Sequence, residues 1–201
     1  MAFLQRLRAG LFALLCVVLA ACSAPQLTAS WRDPGYSGAP LGKVMVLGIS
    51  QSDVDRRLFE DSFSAALREA GVDAQISYPL LPESGPIEQV RIRKALAKTG
   101  AEGVLVTRLI NVEQRIEVTP GTGIGPMSQG FYGWYGTAWA ALPPSIETYK
   151  VLTLESTLWD MQTGRVIWSG TSDTLEVSDI AKFSRELAKV LITRMRADRV
   201  L

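Results

Sequence analysis

The stretch Lys43-Val44-Met45-Val46-Leu47-Gly48-Ile49 decides the fold. Its short, unbroken apolar run is typical of a strand that is buried on both faces of a sheet. Ser52 and Asp55 then have the spacing of a helix N-terminal cap, and apolar residues recur every three or four positions as far as Gly71. The sequence therefore predicts a buried strand followed by a helix over 54–70.

The same alternation of elements continues along the chain. The pattern predicts a second strand over 72–78, a second helix over 87–98 with Pro86 in its first turn, and a third strand from 103 to about 118. This order is typical of right-handed crossovers around a parallel sheet. Apolar and polar residues alternate in the last part of the third strand, which predicts one buried and one solvent-facing side.

The C-terminal part of the chain does not continue this alternation of strands and helices. Residues 148–160 and 165–171 read as two strands joined by a short turn that ends in Gly164, and residues 179–196 form an amphipathic helical pattern. The fold class predicted is α/β: a single domain with a mixed sheet of about five strands, βαβαβ followed by a β-hairpin, and a C-terminal amphipathic helix.

The overall composition indicates a globular protein and excludes several kinds of chemistry. The chain has 201 residues, of which 47% are hydrophobic and 20% charged, and its formal net charge is +1. Because the net charge is so small, no broad basic surface for nucleic acid is expected. The chain has no histidine, so His-ligated zinc sites and His-based catalytic triads are excluded.

The N-terminus has the layout of a signal peptide. Arg6 and Arg8 precede the uncharged, mostly apolar run 9–24, which closes with small residues. A membrane-spanning helix needs about 20 predominantly apolar residues, so this run is too short for a comfortable span.

The end of that run, Leu19-Ala20-Ala21-Cys22, resembles the lipobox of bacterial lipoproteins. The resemblance implies cleavage before Cys22, a diacylglyceryl group on its sulfur, and a further acyl chain such as palmitate on the new amino group. Position 23 is Ser rather than Asp, which implies sorting to the outer membrane, with the domain on the periplasmic face. The alternatives are an ordinary secretory signal or an uncleaved anchor.

This interpretation divides the chain into segments. Residues 1–21 are the predicted lipoprotein signal peptide, 22–42 a lipidated extended tether rich in Pro and Gly, and 43–201 a periplasmic domain. Cys16 would leave with the signal peptide, and Cys22 would carry lipid. No intramolecular disulfide is therefore expected in the mature chain.

The segment 120–146 is an unusual insertion, in which six glycines alternate with aromatic residues and no residue is charged. Long loops in compact domains are often functional, and clustered aromatic side chains can anchor an interface. The predicted interaction loop therefore comprises Phe131, Tyr132, Trp134, Tyr135 and Trp139. The alternative is an insertion whose rings pack over the sheet. A phosphate-binding loop is not expected, because Pro126 follows the glycines where Lys and Ser or Thr are required.

The sequence predicts no catalytic, cofactor-binding or metal site. We interpret the adjacent acids Glu60-Asp61 as a solvated helix face, and Arg56-Arg57 as their partners in surface ion pairs. Without histidine, a hydrolase would need a Ser-Lys arrangement, which spacing alone does not reveal. The turn at 160–164 lacks the alternating oxygen ligands of a calcium loop.

The order of motifs resembles a family of small proteobacterial outer-membrane lipoproteins of unknown function. Five stretches carry the resemblance: Ser30-Trp31-Arg32-Asp33, residues 43–50, residues 57–61 leading to Gly71-Val72, residues 103–108, and residues 158–168. The layout is also similar to lipoproteins whose periplasmic α/β domain assists envelope machinery, such as activators of peptidoglycan synthases.

The functional hypothesis is a non-catalytic cell-envelope lipoprotein. It would be held on the membrane by acylated Cys22 and would act as a periplasmic interaction or assembly module for an envelope protein or cell-wall partner. Two alternatives remain open: an envelope hydrolase acting on wall or lipid fragments, and a subunit of a secretion or pore assembly.

Overall fold

The computed structural model describes residues 24–82, 85, 87–121 and 144–201. Within these ranges the chain forms three helices and six strands. In chain order they are β1 (Gln26–Arg32), β2 (Lys43–Ile49), α1 (Asp53–Glu69), β3 (Asp73–Ile76), α2 (Gln89–Thr99), β4 (Gly103–Thr119), β5 (Ser145–Asp160), β6 (Arg165–Leu175) and α3 (Ile180–Ala197). Every element that the sequence predicts is found within a few residues of its expected bounds. Pro86 lies outside the described residues.

The strands form one mixed sheet in the order β1-β6-β5-β4-β2-β3. β2 pairs in parallel with both β3 and β4, as the βαβαβ pattern predicts, and β1 pairs antiparallel with β6. The predicted α/β class with a mixed sheet is therefore confirmed, with six strands instead of about five.

The additional strand is β1, which occupies part of the stretch that the sequence predicts as a tether over 22–42. It runs from Gln26, paired with Asp173, to Arg32, paired with Trp168. Most of its side chains are exposed or only half-buried, since it lies at the edge of the sheet. An edge strand of this kind has no continuous apolar run, which is why the pattern of the sequence does not reveal it.

The core lies on both faces of β2, as its unbroken apolar run predicts. Val44 and Val46 pack into the larger cluster, which includes side chains from α1 and α3. Met45, between them in the strand, packs on the other face with Ala95 of α2. Successive strand residues point to opposite faces, so α1 and α3 cover one face and α2 covers the other.

The helix ends follow the capping signals in the sequence. The Ser52 hydroxyl accepts a hydrogen bond from the Asp55 N–H at 3.2 Å and caps α1. Asp179 caps α3 by accepting from the Lys182 N–H at 2.8 Å, so it precedes the helix rather than beginning it. Gly100 ends α2 in the left-handed conformation, with φ 65°.

The chain divides into two compact units, one formed by residues up to 111 together with 152–201, and the other by 112–151. The described parts of the second unit are 112–121 and 144–151. The alternation in β4 predicts a buried face here, but Val112, Ile116 and Val118 are all exposed. In these residues neither face of the strand is buried.

Candidate functional site

A cleft of about 620 Å³ lies between the turn that follows β1 and the turn that joins β5 to β6. Its volume is in the range of small-molecule sites. We call it the Asp33–Asp160 cleft, after two buried carboxylates that line it. Both belong to stretches that carry the family resemblance.

Asp33 organises the first of these turns. One of its carboxylate oxygens, Oδ1, accepts a hydrogen bond from the Gly35 N–H at 2.8 Å, and the other lies 3.1 Å from a guanidinium nitrogen of Arg165. The side chain bonds to the backbone two residues ahead, which is the geometry of an Asx turn. Asp33 thus fixes its own loop and links it to the start of β6.

Asp160 organises the second turn in the same way. Its Oδ1 accepts from the Gln162 N–H at 3.0 Å, and its Oδ2 accepts from the Thr163 hydroxyl at 2.7 Å. Gly164 completes the turn at φ 70°, a backbone conformation that residues with a Cβ rarely adopt. The hairpin turn that the sequence predicts here is confirmed.

Tyr36 and Glu102 complete the polar wall of the cleft. Burial of the Tyr36 phenol, and next the charge of Asp160, raise its pKa above the ordinary value. The hydroxyl therefore stays protonated at neutral pH, and it donates to the Ala39 carbonyl at 2.6 Å. One oxygen of Glu102 accepts from the Gly42 and Lys43 N–H groups, at 2.8 and 3.1 Å.

The carboxylates of this cleft therefore hold the surrounding turns together: Asp33 and Asp160 bind their own turns, and Glu102 binds the backbone at the start of β2. Asp33, Asp160 and Glu102 each accept at least one backbone N–H, and Thr163 donates its hydroxyl to Asp160. Among the described residues that line the cleft there is no lysine, so the Ser-Lys arrangement that a histidine-free hydrolase would need is not found there. The geometry is that of a recess with both polar and apolar lining, whose turns are held by side-chain hydrogen bonds.

The interpretation of Arg56 and Glu60 as surface residues is wrong, because both side chains are buried. Arg56 Nε lies 2.9 Å from Glu60 Oε1, one helical turn away. The carboxylate also accepts from the N–H groups of Gly48, Ser77 and Tyr78, at 3.1, 2.8 and 3.0 Å. The pair thus joins α1 to the end of β2 and to the segment after β3.

The neighbouring residues of the same helix are exposed, as the sequence predicts, but each contacts Tyr78 and the predicted ion pair between them is not among the contacts of the described residues. Arg57 and Asp61 are exposed. The Arg57 guanidinium lies over the Tyr78 ring, 5.4 Å from its centre, and the Tyr78 hydroxyl donates to Asp61 at 3.0 Å. In each adjacent pair, therefore, the first residue is buried and the second is exposed to solvent.

The site residues that the sequence predicts lie outside the described residues. Cys22 precedes the first of them by two positions, and the aromatic residues of the predicted interaction loop all fall within 122–143. Sequence reasoning missed the Asp33–Asp160 cleft. The signal that could have revealed it is the pair of aspartates, each followed within four residues by a turn glycine.

No group of three or more acidic or cysteine side chains among the described residues is placed to hold a metal ion. None of the described helices is long and apolar enough to cross a membrane.

No family model and no curated protein matches the chain. Among solved structures, it is similar to the PelC dodecamer from Paraburkholderia phytofirmans, with 18% identity, a TM-score of 0.44, and coverage of 81% of this chain and 94% of that one. It is also similar to lipoprotein GNA1162 from Neisseria meningitidis, with 15% identity, a TM-score of 0.41, and coverage of 77% and 97%. Likeness at this level does not extend to function.

Proposed function

We propose that the protein is a lipoprotein of the bacterial cell envelope, held on the membrane by acylated Cys22, whose α/β domain is a non-catalytic interaction or assembly module. One structural observation supports it: the first strand of the folded domain begins at Gln26, four residues after the lipobox cysteine. The first strand among the described residues thus begins close to where lipoprotein processing would leave the mature N-terminus. Two or three acyl chains would hold such a domain durably on a bilayer.

The non-catalytic part of the proposal is supported by the chemistry of the cleft. Asp33 and Asp160 accept hydrogen bonds from their own turns, Glu102 accepts from the Gly42 and Lys43 N–H groups, and the Tyr36 hydroxyl donates to the Ala39 carbonyl. Groups engaged in this way serve to position the turns that carry them. A lipid anchor would add to such a module by raising the local concentration of its partner.

The finer assignment is to the outer membrane, with the domain in the periplasm. It follows from Ser23, since the lipoprotein sorting rule retains proteins with Asp at this position in the inner membrane. The partner proposed is an envelope protein or a component of the cell wall.

The anchor is tested by the mass of the protein purified from the membranes of a Gram-negative host. We expect the mature chain to begin at Cys22 and to carry a diacylglyceryl group and one further acyl chain. A Cys22→Ser variant is expected to lose palmitate labelling and to leave the membrane fraction. Cys16→Ser, in the segment to be removed, should change neither. A Cys22→Ser protein that is still acylated and sedimenting would contradict the proposal.

The interaction module is tested by crosslinking in cells. With Trp134 and Tyr135 both changed to Ala, capture of the partner is expected to fall about tenfold, because aromatic residues at an interface centre contribute most of its binding free energy. The exposed Trp31 in β1 offers a matched control, and Trp31→Ala should leave capture unchanged. Equal capture by all three proteins would remove the loop from the proposal.

A further inference from the structure

We propose that the outward face of α2 is a docking surface for an acidic, amphipathic helix of a partner protein in the envelope. This basic face of α2 comprises Val90, Arg93, Lys94, Ala97 and Lys98, and all five side chains are exposed. The inference rests on the proposed interaction module and names the chemistry of its partner. It involves only residues of the first of the two compact units.

The charge of α2 sets it apart from the other two described helices. Its 11 residues include four basic side chains and no acidic one, in a chain whose formal net charge is only +1. The helices α1 and α3 each contain both acidic and basic side chains. In α3, for example, Lys182 Nζ lies 3.9 Å from a carboxylate oxygen of Glu186. The positive charge of α2 is therefore concentrated on one short, exposed surface.

Ion pairs within the protein do not account for these cations. In the part of the chain that the structure describes, no acidic side chain pairs with Arg93, Lys94 or Lys98; Arg91 takes part in an interaction within the chain and is left out of the basic face. Lys94 and Lys98 are one turn apart, and like charges at this spacing destabilise a helix. The helix dipole favours only Lys98, in the last turn. The carboxylates of a partner would supply the missing countercharge.

The opposite side of α2 is fixed against the sheet. Ile92, Ala95 and Leu96 pack into the smaller core cluster, which also contains Met45 of β2 and Val104 of β4. Because an α-helix has 3.6 residues per turn, this contact directs the basic face towards solvent. The helix is therefore already held in place, and a partner that binds it does not have to order it first.

Two apolar residues run through the middle of the basic face. Val90, which is 57% exposed, and Ala97 lie two turns apart and so fall on the same side of the helix. Arg93 and Lys94 lie between them in the sequence, at the spacing that places one cation on each side of this apolar stripe. Helices that pair as coiled coils use the same arrangement, in which apolar residues one heptad apart meet and the flanking charges form ion pairs.

The apolar stripe selects the kind of anionic partner. A flexible polyanion would gain from the cations but would leave Val90 in water. An amphipathic helix with apolar residues at heptad spacing would cover Val90 and place its carboxylates near Arg93 and Lys94. The basic helix spans about 16 Å, or roughly three turns. A contact of this length is small, so we expect a transient complex that gains from the local concentration provided by the lipid anchor.

The test measures binding of a synthetic peptide to the full-length, natively processed protein in an uncharged detergent. The probe is a fluorescent peptide of three heptads with Leu at its a and d positions and Glu at its e and g positions. Fluorescence anisotropy is expected to show about tenfold tighter binding of this peptide than of one with the same residues in scrambled order. In the triple variant Arg93→Gln, Lys94→Gln and Lys98→Gln, the affinity for the peptide is expected to fall about tenfold.

Matched variants separate charge, apolar contact and folding. Glutamine has nearly the helix propensity of lysine and arginine, so circular dichroism should show an unchanged fold in the triple variant. A second triple variant, Lys182→Gln, Arg185→Gln and Lys189→Gln, removes the same charge from exposed positions of α3. It should change the affinity by less than about twofold, because these side chains lie outside the basic face. Val90→Ser should weaken binding of the peptide but not of polyglutamate.

Three outcomes would overturn the inference. Polyglutamate bound as tightly as the peptide, with no effect of Val90→Ser, would identify a flexible polyanion as the occupant. Oligomers that native mass spectrometry finds in the original protein but not in the α2 triple variant would assign the face to a second copy of the chain. Equal peptide binding by the α2 and α3 variants would mean that the peptide binds elsewhere.

Crosslinking in cells tests the interaction module separately. A partner that is captured equally well by the α2 triple variant refutes only this docking surface. A protein that captures no partner in its original form refutes the interaction module and the docking surface with it.

Discussion

Replacing Glu60 by glutamine is expected to lower the free energy of unfolding by about 3–5 kcal/mol, because it removes the buried carboxylate that is paired with the Arg56 guanidinium. The two side chains are 2.9 Å apart and almost fully buried. The amide would also present an NH₂ group to N–H donors, Gly48 on one side or Ser77 and Tyr78 on the other. Guanidinium denaturation of the purified protein, followed by circular dichroism, measures the loss.

The adjacent acid is the matched control for this prediction. Asp61→Asn makes the same chemical change one residue further along α1, at an exposed position whose hydrogen bond comes from the Tyr78 hydroxyl. Its unfolding free energy should stay within about 0.5 kcal/mol of the original. Similar losses in both variants would show that the buried pair does not hold α1 to the strand ends.

Replacing Trp168 by alanine is expected to cost about 3–5 kcal/mol, the usual range for emptying the site of a buried Trp. Its ring is fully buried in the larger core cluster, and its indole N–H donates to the Asp198 carboxylate, just after α3, at 2.9 Å. A Cβ on Gly170 would lie only 2.3 Å from the ring. The ring therefore occupies the space over Gly170, next to the Leu27 side chain.

Trp31 provides the same substitution in a different environment. It lies on β1 opposite Ser169 and is 49% exposed. Trp31→Ala is therefore expected to cost about half as much, roughly 2 kcal/mol, since about half of its surface already contacts water. The two variants are compared by the midpoint of guanidinium unfolding monitored by circular dichroism, and a loss as large for Trp31 as for Trp168 would contradict this account of the core.

The elements whose apolar residues recur at the spacing of a buried strand or helix were predictable from the sequence. The apolar run 43–49 predicts a strand covered on both faces, and Val44 and Met45 do lie in different core clusters. Ser52 predicts the start of α1, because its hydroxyl can accept a hydrogen bond from the backbone N–H of Asp55, three residues later. These signals depend only on residues close in the sequence, and the structure agrees with each of them.

The features that depend on contacts between distant segments were not predictable. Arg56 and Glu60 have the helical spacing of a surface ion pair, and only the packing of the segment after β3 against α1 buries them. In the same way, β1 becomes a strand through its partner β6. The Asp33–Asp160 cleft joins two turns that are more than 120 residues apart in the sequence, so neither turn alone indicates it.

The pairing of the first strand with the last one sets the order in which the protein can fold. Thr28 bonds to Thr171, 143 residues further along the chain. β1 therefore has no partner until the 143 residues that separate it from Thr171 have followed it to the place of folding. Throughout that interval its backbone donors and acceptors are open to foreign strands, so a newborn chain is most vulnerable to aggregation at its N-terminal end.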